Sequence, residues 1–163
     1  MTRSVAHRAF VTVAVLVVVS SCSPQPAPKP PGAAGLEATF ELDDLLIVAN
    51  DGARQSFDIY LALDDEQKRR GLMFVRDLPE RTGMLFVYED AAVHSMWMKN
   101  TYISLDIVFA RADGTVSSVI HDAEPLSPRS LGSTEPVTYV LELNAGVARR
   151  LKIGAGSQLI WQR

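Results

Sequence analysis

Apolar and polar residues alternate along two stretches of this chain, and that alternation limits the fold more than any other feature. Apolar side chains occupy every second position in residues 36–42 and again in residues 57–63. A period of two belongs to β-strands that bury one face, whereas a helix would repeat every three to four residues. Asn50-Asp51-Gly52 lies between the two stretches and is typical of a turn. The pattern therefore predicts a protein built around a sheet.

Further short apolar segments extend this prediction along the chain. Asp113-Gly114 is a strong hairpin signal and is expected to join two strands at residues 103–110 and 115–121. Other predicted strands lie at residues 45–49, 84–88, 93–99, 137–143 and 158–161. With about eight strands and no regular alternation of strand and helix, a mainly antiparallel sheet is expected.

Two short helices are predicted among these strands. Asp64 can cap a helix that has Gln67 at its third position and ends at Gly71, after the basic residues 68–70. Cations are favoured at a helix C-terminus by the helix dipole, so a structural interpretation of this triplet is preferred to a binding patch. Asn144 is expected to cap a second helix that runs to Leu151. The predicted fold class is mainly β (α+β), a compact antiparallel barrel-like sheet with two short helices.

The N-terminal residues predict export and lipidation. Arg3 and Arg8 precede an uncharged apolar stretch at residues 9–19, which is too short for a membrane span of about 20 residues but suits a signal peptide. Small residues then lead to Cys22, and this arrangement resembles the lipobox of bacterial lipoproteins. The resemblance implies cleavage after residue 21 and attachment of lipid to Cys22, with the membrane as a partner through that lipid.

A proline-rich segment follows Cys22. Residues 22–35 contain no large apolar side chain and are expected to form an extended tether, so that a single globular domain comprises residues 36–163. Ser23, rather than an aspartate, follows the cysteine, which resembles an outer-membrane sorting signal. The expected location is the cell envelope: the periplasmic face of the outer membrane in a host with two membranes, otherwise the outer face of the plasma membrane.

Composition excludes several classes of protein. The chain has a single cysteine, so it has no internal disulfide framework and no zinc site made of four thiolates. Its formal charge is −3, which gives no general basic field for nucleic acid, and no nucleic-acid partner is expected.

Five motifs follow one another along the chain: Arg70-Gly71-Leu72-Met73-Phe74, Gly83-Met84-Leu85-Phe86, Trp97-Met98-Lys99-Asn100-Thr101, Leu105-Asp106-Ile107-Val108-Phe109 and Tyr139-Val140-Leu141-Glu142-Leu143-Asn144-Ala145-Gly146. Together they resemble the domain of unknown function 192 family, also called uncharacterised protein family 0127. The resemblance implies a compact, mostly β fold with short helices, and it supplies no reaction. The family's motif residues correspond here to Met73, Trp97, Lys99, Asn100, Asp106 and Asn144. This chain departs from the family pattern at His94 and Met96.

The polar residues of one motif form the first candidate site. Asp106 lies in an apolar strand, where a buried carboxylate needs partners. One interpretation is structural, with Asp106 paired to Lys99 or to backbone amides. The other is a ligand pocket lined by Lys99, Asn100 and Asp106, with Trp97 as its apolar wall. The partner would be an unidentified small ligand or an envelope protein.

A second candidate site would bind Cu(I). If residues 93–99 form a regular strand, His94, Met96 and Met98 share one face. Imidazole and thioether ligands suit Cu(I). The alternative is that both methionines fill gaps in the core.

Signals for an enzyme are weak. The sequence has no nucleophile elbow, no paired-histidine zinc helix, no phosphate loop and no dinucleotide fingerprint. His121 and Asp122 are the best acid–base candidates, beside an aperiodic loop at residues 122–136. The sequence thus favours a lipid-anchored binding module over an envelope Cu(I)-binding protein or an uncharacterised hydrolase.

Overall fold

A computed structural model describes residues 35–162, which form a curled seven-stranded sheet, a small two-stranded sheet and two short helices. The predicted signal peptide, Cys22 and all but the last residue of the predicted tether lie outside the described residues. The elements in chain order are β1 (Glu41–Val48), β2 (Arg54–Ala62), α1 (Asp65–Arg70), β3 (Thr82–Ala92), β4 (Ser95–Met96), β5 (Leu105–Ala110), β6 (Val116–Ala123), β7 (Leu131–Gly132), β8 (Val137–Asn144), α2 (Val147–Arg150) and β9 (Gln158–Ile160).

Seven strands form the main sheet, in the order β6-β5-β8-β3-β2-β1-β9. All neighbouring pairs are antiparallel except β2 and β3, which run parallel because α1 and the loop after it carry the chain across. The two edges of the sheet meet where Thr115 bridges Gln158 and the amide of Val116 donates to the Ser157 carbonyl at 2.8 Å. The predicted mainly β, barrel-like fold class is confirmed as a half-barrel.

The centre of the sheet, formed by residues 82–86 of β3 together with β5 and β8, is largely buried on both faces. One apolar cluster includes Met84, Ile107 and Val140, and the other includes Leu85 and Leu141, their strand neighbours. Successive side chains point to opposite faces of a strand, so each central strand contributes to both clusters in turn. The two acids in this central region therefore lie among apolar side chains, whereas the exposed end of β3 carries its acids in solvent.

Several local predictions are confirmed. The side chain of Asp64 accepts from the amide of Gln67 at 2.8 Å, Gln67 reaches back to complete a capping box, and Gly71 ends α1 with φ of 44°. The hairpin at Asp113-Gly114 joins β5 to β6, with Gly114 at φ of 81°. Positive φ favours glycine at such a turn.

Three local predictions are wrong. Residues 36–40 form turns and β1 begins at Glu41, because the amides of Thr39 and Phe40 both donate to the Leu36 carbonyl and bury Leu36 and Phe40 together. The strand expected at residues 93–99 is reduced to β4, since its partner β7 is equally short. Asn144 does not cap α2.

The Asn144 side chain instead ties two loops of the fold together. Asn144 ends β8, and its amide nitrogen donates to the Leu78 carbonyl at 2.7 Å. Gly146 occupies the position before α2, and no side chain caps that helix. The side-chain amide of Asn144 thus binds the loop before β3, a long-range contact that local sequence does not encode.

Asp106 is fully buried and holds the junction between β5, β6 and α2. Its carboxylate accepts from the amide of Asp122 at 3.0 Å and from the amide of Ala148 at 2.9 Å. Both amides would otherwise be unpaired donors at the end of a strand and the start of a helix. Of the structural pairings expected for Asp106, the structure contains the one with backbone amides.

Replacement of Asp106 tests this role. Asp106→Ala should lower the free energy of unfolding by about 3 kcal/mol, because two buried amides lose a charged acceptor. Lys99→Ala should change it by less than about 0.5 kcal/mol, as for other surface substitutions. Urea denaturation of both variants measures the two values. An equal loss in both variants would show that Lys99, not the backbone amides, is the partner that matters.

Candidate functional site

A cleft of about 420 Å³ opens between α1, β3 and the segment around β4. Its floor and walls combine apolar, aromatic and methionine side chains, and its rim carries three basic residues and one acidic residue. The lining includes Asp65, Lys68, Arg69, Arg70, Met73, Tyr88, Met96, Trp97 and Glu142.

Glu142 is the chemically unusual member of this cleft. It lies in the middle of β8, opposite Met84 on one neighbouring strand and Ile107 on the other, so its side chain emerges on an apolar face of the sheet. Only 4% of the residue is exposed, and no other described residue forms a hydrogen bond or an ion pair with its carboxyl group. A buried carboxyl group without partners is costly when ionised.

Burial raises the pKa of Glu142 to about 8. The group is therefore predominantly protonated near pH 7, and a neutral carboxyl group can donate a hydrogen bond as well as accept one. Burial also raises the pKa of Tyr88, with a further contribution from the negative charge that Glu142 would carry. Glu142 thus offers a neutral hydrogen-bond donor to the interior of the cleft, which the neutral Tyr88 side chain also lines.

The rim of the cleft is positively charged because α1 ends there. Lys68, Arg69 and Arg70 form the last turn of the helix, and the Lys68 ammonium lies 5.1 Å from the centre of the Tyr88 ring. The dipole interpretation of this triplet is compatible with its position at the helix C-terminus. The same position places all three cations at the cleft, which the sequence did not indicate.

The residues of the first candidate site do not all contribute to the cleft. Trp97 lines it and is half exposed, and the Lys99 ammonium lies 5.1 Å from the Trp97 ring. The Asn100 amide lies 3.8 Å from the sulfur of Met73, another lining residue. Asp106 points to the opposite face of the sheet, since it pairs with Leu143 while its neighbour Ile107 pairs with Glu142. The structure thus brings Trp97, Lys99 and Asn100 together and places Asp106 elsewhere.

The structure brings together only some of the residues predicted to bind Cu(I). His94 stacks on Tyr88 with ring centres 3.5 Å apart, and the Tyr88 hydroxyl donates to the Met96 sulfur at 3.9 Å. Burial lowers the pKa of His94, and its Nε2 is buried with no hydrogen-bond partner. Met98 is fully buried in the core. The regular strand assumed for this site is absent, and Cu(I) binding by His94 and Met96 stays a prediction.

The acid–base candidates lie close to Asp106 and not at the cleft. Nδ1 of His121 lies 3.6 Å from Oδ1 of Asp106, and Asp122 forms an ion pair with Arg149. Among residues 35–162, no hydroxyl group forms a hydrogen bond with His121, so the pair has a base and a carboxylate without a nucleophile in contact. In the same part of the chain, no three His, Cys, Asp or Glu side chains form a group that could hold a metal ion.

Sequence reasoning missed Glu142, Tyr88 and Met73 as cleft residues. A signal for Glu142 was present, because a single acid interrupts the apolar run of β8 just as Asp106 interrupts β5. Tyr88 and Met73 carry no such signal, since both residue types are common in cores.

The raised pKa of Glu142 predicts how stability depends on pH. Between the ordinary carboxyl pKa of 4.5 and the folded value of about 8, the folded chain binds one proton more than the unfolded chain. The free energy of unfolding should therefore fall as pH rises through this interval, by at most about 1.4 kcal/mol per pH unit. Glu142→Gln keeps the shape without the charge and should lack this contribution. Urea denaturation at several pH values measures the difference between the two proteins, and a difference that does not vary with pH would contradict the prediction.

Solved structures that resemble this chain extend over nearly the whole described domain. One is a crystal structure described as a putative transcription regulator from Sinorhizobium meliloti 1021. It has a TM-score of 0.73 and 37% identity, covering 74% of this chain and 94% of that one. Another is a protein of unknown function from Novosphingobium aromaticivorans DSM 12444, with a TM-score of 0.72 and 32% identity, covering 75% and 86% of the two chains. The first of these crystallised chains consists almost entirely of the matched region.

No curated protein matches the chain. The family model described as DUF192, uncharacterized ACR, matches residues 46–161, from β1 to just beyond β9. This match includes the cleft, both buried acids and all five motifs, and the expected resemblance is confirmed. The chain belongs to the domain of unknown function 192 family.

Proposed function

We propose that this domain binds a small organic anion in the cleft, with Glu142 as a neutral hydrogen-bond donor at its floor. The observation that carries the proposal is the buried carboxyl group of Glu142, which has no partner among residues 35–162 and borders an open cleft. The carboxyl oxygens are not sealed from solvent, so the group is accessible from the cleft. A ligand with an acceptor atom would pair with this group once it is protonated.

The charges around the cleft determine the class of ligand. Lys68, Arg69 and Arg70 at the rim favour an anionic group at the entrance. Tyr88 and Trp97 provide aromatic surface for an apolar body between that group and the floor. The proposed ligand therefore combines an anionic end, an apolar or aromatic middle and a hydrogen-bond acceptor.

The residues expected at the ligand site take different roles in this proposal. Trp97 contacts the ligand directly. Lys99 and Asn100 position the Trp97 and Met73 side chains that line the cleft. Asp106 acts indirectly, by fixing the junction of β5, β6 and α2.

Three related compounds test the proposed recognition. Para-acetylbenzoate has both the anion and the acceptor, para-ethylbenzoate lacks the acceptor, and para-methylacetophenone lacks the anion. In NMR titrations near pH 6, the first should bind at least about tenfold more tightly than either of the others, since each lost charge-assisted or buried hydrogen bond costs about 1.4 kcal/mol or more. The shifted signals should include the side chains of Trp97 and Met96.

Variants of Glu142 provide the controls for this titration. Glu142→Gln retains a donor and should bind para-acetylbenzoate from pH 6 to pH 9, whereas the original protein should lose binding above about pH 8 as the carboxyl group ionises. Glu142→Met, which has no donor, should not distinguish para-acetylbenzoate from para-ethylbenzoate. Equal binding of all three compounds, or binding that is unaffected in Glu142→Met, would reject the proposal.

The proposal also includes anchoring of this binding domain in the cell envelope. It rests on the apolar stretch and on Cys22 in the sequence, since these residues lie outside those described. None of the helices in the described part of the chain is long and apolar enough to cross a membrane. Several acyl chains on Cys22 would hold the domain stably, where a single chain is marginal.

Lipidation of Cys22 has a direct test. The full chain expressed in a bacterium that processes lipoproteins should incorporate labelled palmitate and sediment with the membrane fraction. Cys22→Ser should incorporate none and should keep the signal peptide uncleaved by the lipoprotein-specific peptidase. Labelling that persists in Cys22→Ser would contradict this part of the proposal.

A further inference from the structure

Four exposed apolar side chains lie on three loops that are hydrogen-bonded to one another beside the cleft. Phe74, Trp97, Tyr102 and Leu126 are 54%, 49%, 37% and 57% exposed, and together they are called the aromatic face here. The rings of Phe74 and Tyr102 meet edge to face with centres 6.1 Å apart. Large apolar side chains that gather on a surface indicate an interaction site, whereas isolated ones do not.

Backbone hydrogen bonds fix the three loops to one another. The amide of Phe74 donates to the Asn100 carbonyl at 2.8 Å, and the amide of Leu126 donates to the Thr101 carbonyl at 3.0 Å. The amide of Met98, next to Trp97, donates to the Ser127 carbonyl at 3.0 Å. The relative positions of the four apolar side chains are thus set by the fold.

The backbone is strained where it presents these side chains. Phe74 has φ of 67° and Leu126 has φ of 63°, in the left-handed region that bulky residues rarely adopt. Asn100, which accepts the Phe74 amide, has φ of 59°. Strained positions of this kind persist only where the surrounding structure holds them, and they cluster at functional sites. Two of the four exposed apolar side chains, Phe74 and Leu126, thus extend into solvent from backbone in the left-handed region.

Each aromatic ring of this surface has its own cation. The Arg70 guanidinium lies 5.4 Å from the Phe74 ring centre, the Arg76 guanidinium 4.5 Å from that of Tyr102, and the Lys99 ammonium 5.1 Å from that of Trp97. Among the described residues, no carboxylate forms an ion pair with any of the three cations. The aromatic face therefore combines exposed apolar area with three positive charges that acidic side chains do not neutralise.

From this combination we propose that the aromatic face docks onto a lipid bilayer that contains anionic lipids. Tryptophan, tyrosine and phenylalanine are favoured at the level of the headgroups, and nearby lysine and arginine side chains are attracted to anionic lipid. The chain as a whole carries a formal charge of −3, so an anionic bilayer repels its more acidic surfaces. Charge complementarity therefore selects one orientation, with the aromatic face toward the lipid.

Docking in this orientation also places the cleft at the membrane surface. Arg70 and Trp97 belong to the aromatic face or its cations and also line the cleft. The docking proposal does not depend on the proposed ligand, because it rests on loops and charges outside Glu142. Docking would occur with the isolated domain, and it would also orient a domain that is anchored through Cys22.

Vesicle binding by the unlipidated domain tests the proposal. Residues 35–163, without Cys22, are mixed with vesicles of phosphatidylcholine alone or with about 30% phosphatidylglycerol. We expect co-sedimentation with the anionic vesicles, at least about tenfold weaker binding to phosphatidylcholine vesicles and weaker binding in high salt. Tryptophan emission should shift to the blue on binding, and Trp97→Phe should remove that shift. This assay contains no small organic anion, so its result is independent of the cleft titration.

Paired variants distinguish the effect of the aromatic face from the effect of exposed apolar side chains elsewhere on the domain. Trp97→Ser combined with Leu126→Ser should weaken binding to anionic vesicles at least about tenfold. Ile160→Ser, at an exposed apolar position on β9, is the matched control and should bind as the original domain does. Arg76→Gln combined with Lys99→Gln should remove the preference for anionic lipid. Circular dichroism confirms that each variant is folded.

Three results would overturn the proposal. The first is the absence of vesicle binding, as expected if the face binds a soluble acidic protein instead. The second is equal binding to both kinds of vesicle. The third is an equal loss of binding in Ile160→Ser and in the Trp97→Ser, Leu126→Ser variant.

Discussion

The pairing of β8 between β3 and β5 is the constraint on which the rest of the structure depends. Where these strands pair, residues 82–86, 105–110 and 137–143 are largely buried on both faces of the sheet, so a polar side chain there has little contact with water. Asp106 pairs across the sheet with Leu143, and Ile107 pairs with Glu142. Because neighbouring residues on a strand face opposite ways, the register sends the two acids to opposite sides of the same sheet. A slip of one residue would place each acid on the wrong face.

The two buried acids are stabilised in the interior in different ways. Asp106 accepts from two backbone amides that need an acceptor, and it thereby fixes the start of α2. Glu142 has no such donor, and burial raises its pKa to about 8 so that it remains neutral. A carboxylate with two amides stabilises the fold, whereas a neutral carboxyl group beside an open cleft is available to a ligand. This contrast locates the candidate site on the face of Glu142 and not on that of Asp106.

Local chemistry made part of this structure predictable from the sequence. The capping box of α1 and the Asp113-Gly114 hairpin depend on residues a few positions apart, and both are confirmed. The strand prediction for residues 36–42 was partly wrong, because the alternating pattern also places Leu36 and Phe40 four residues apart. This is the spacing of a turn that closes on the Leu36 carbonyl. The cleft was not predictable, because it forms only when α1, β3 and β8 come together from distant parts of the chain. Glu142 gave the same signal as Asp106, yet only the pairing of strands decides which acid finds donors.

The cleft and the aromatic face share residues, and this gives the two proposals a common physical basis. Arg70 lies at the cleft rim and over the Phe74 ring, and Trp97 is both a cleft wall and an exposed apolar side chain. A bilayer against this surface would lower the dielectric constant at the cleft entrance and would strengthen the attraction between the rim cations and an anionic ligand. It would also oppose ionisation of Glu142 further, because charge is less stable where water is excluded. Docking would therefore favour the protonation state that the proposed ligand requires. Anionic headgroups would at the same time compete with an anionic ligand for Arg70, so the two electrostatic effects on ligand binding oppose each other.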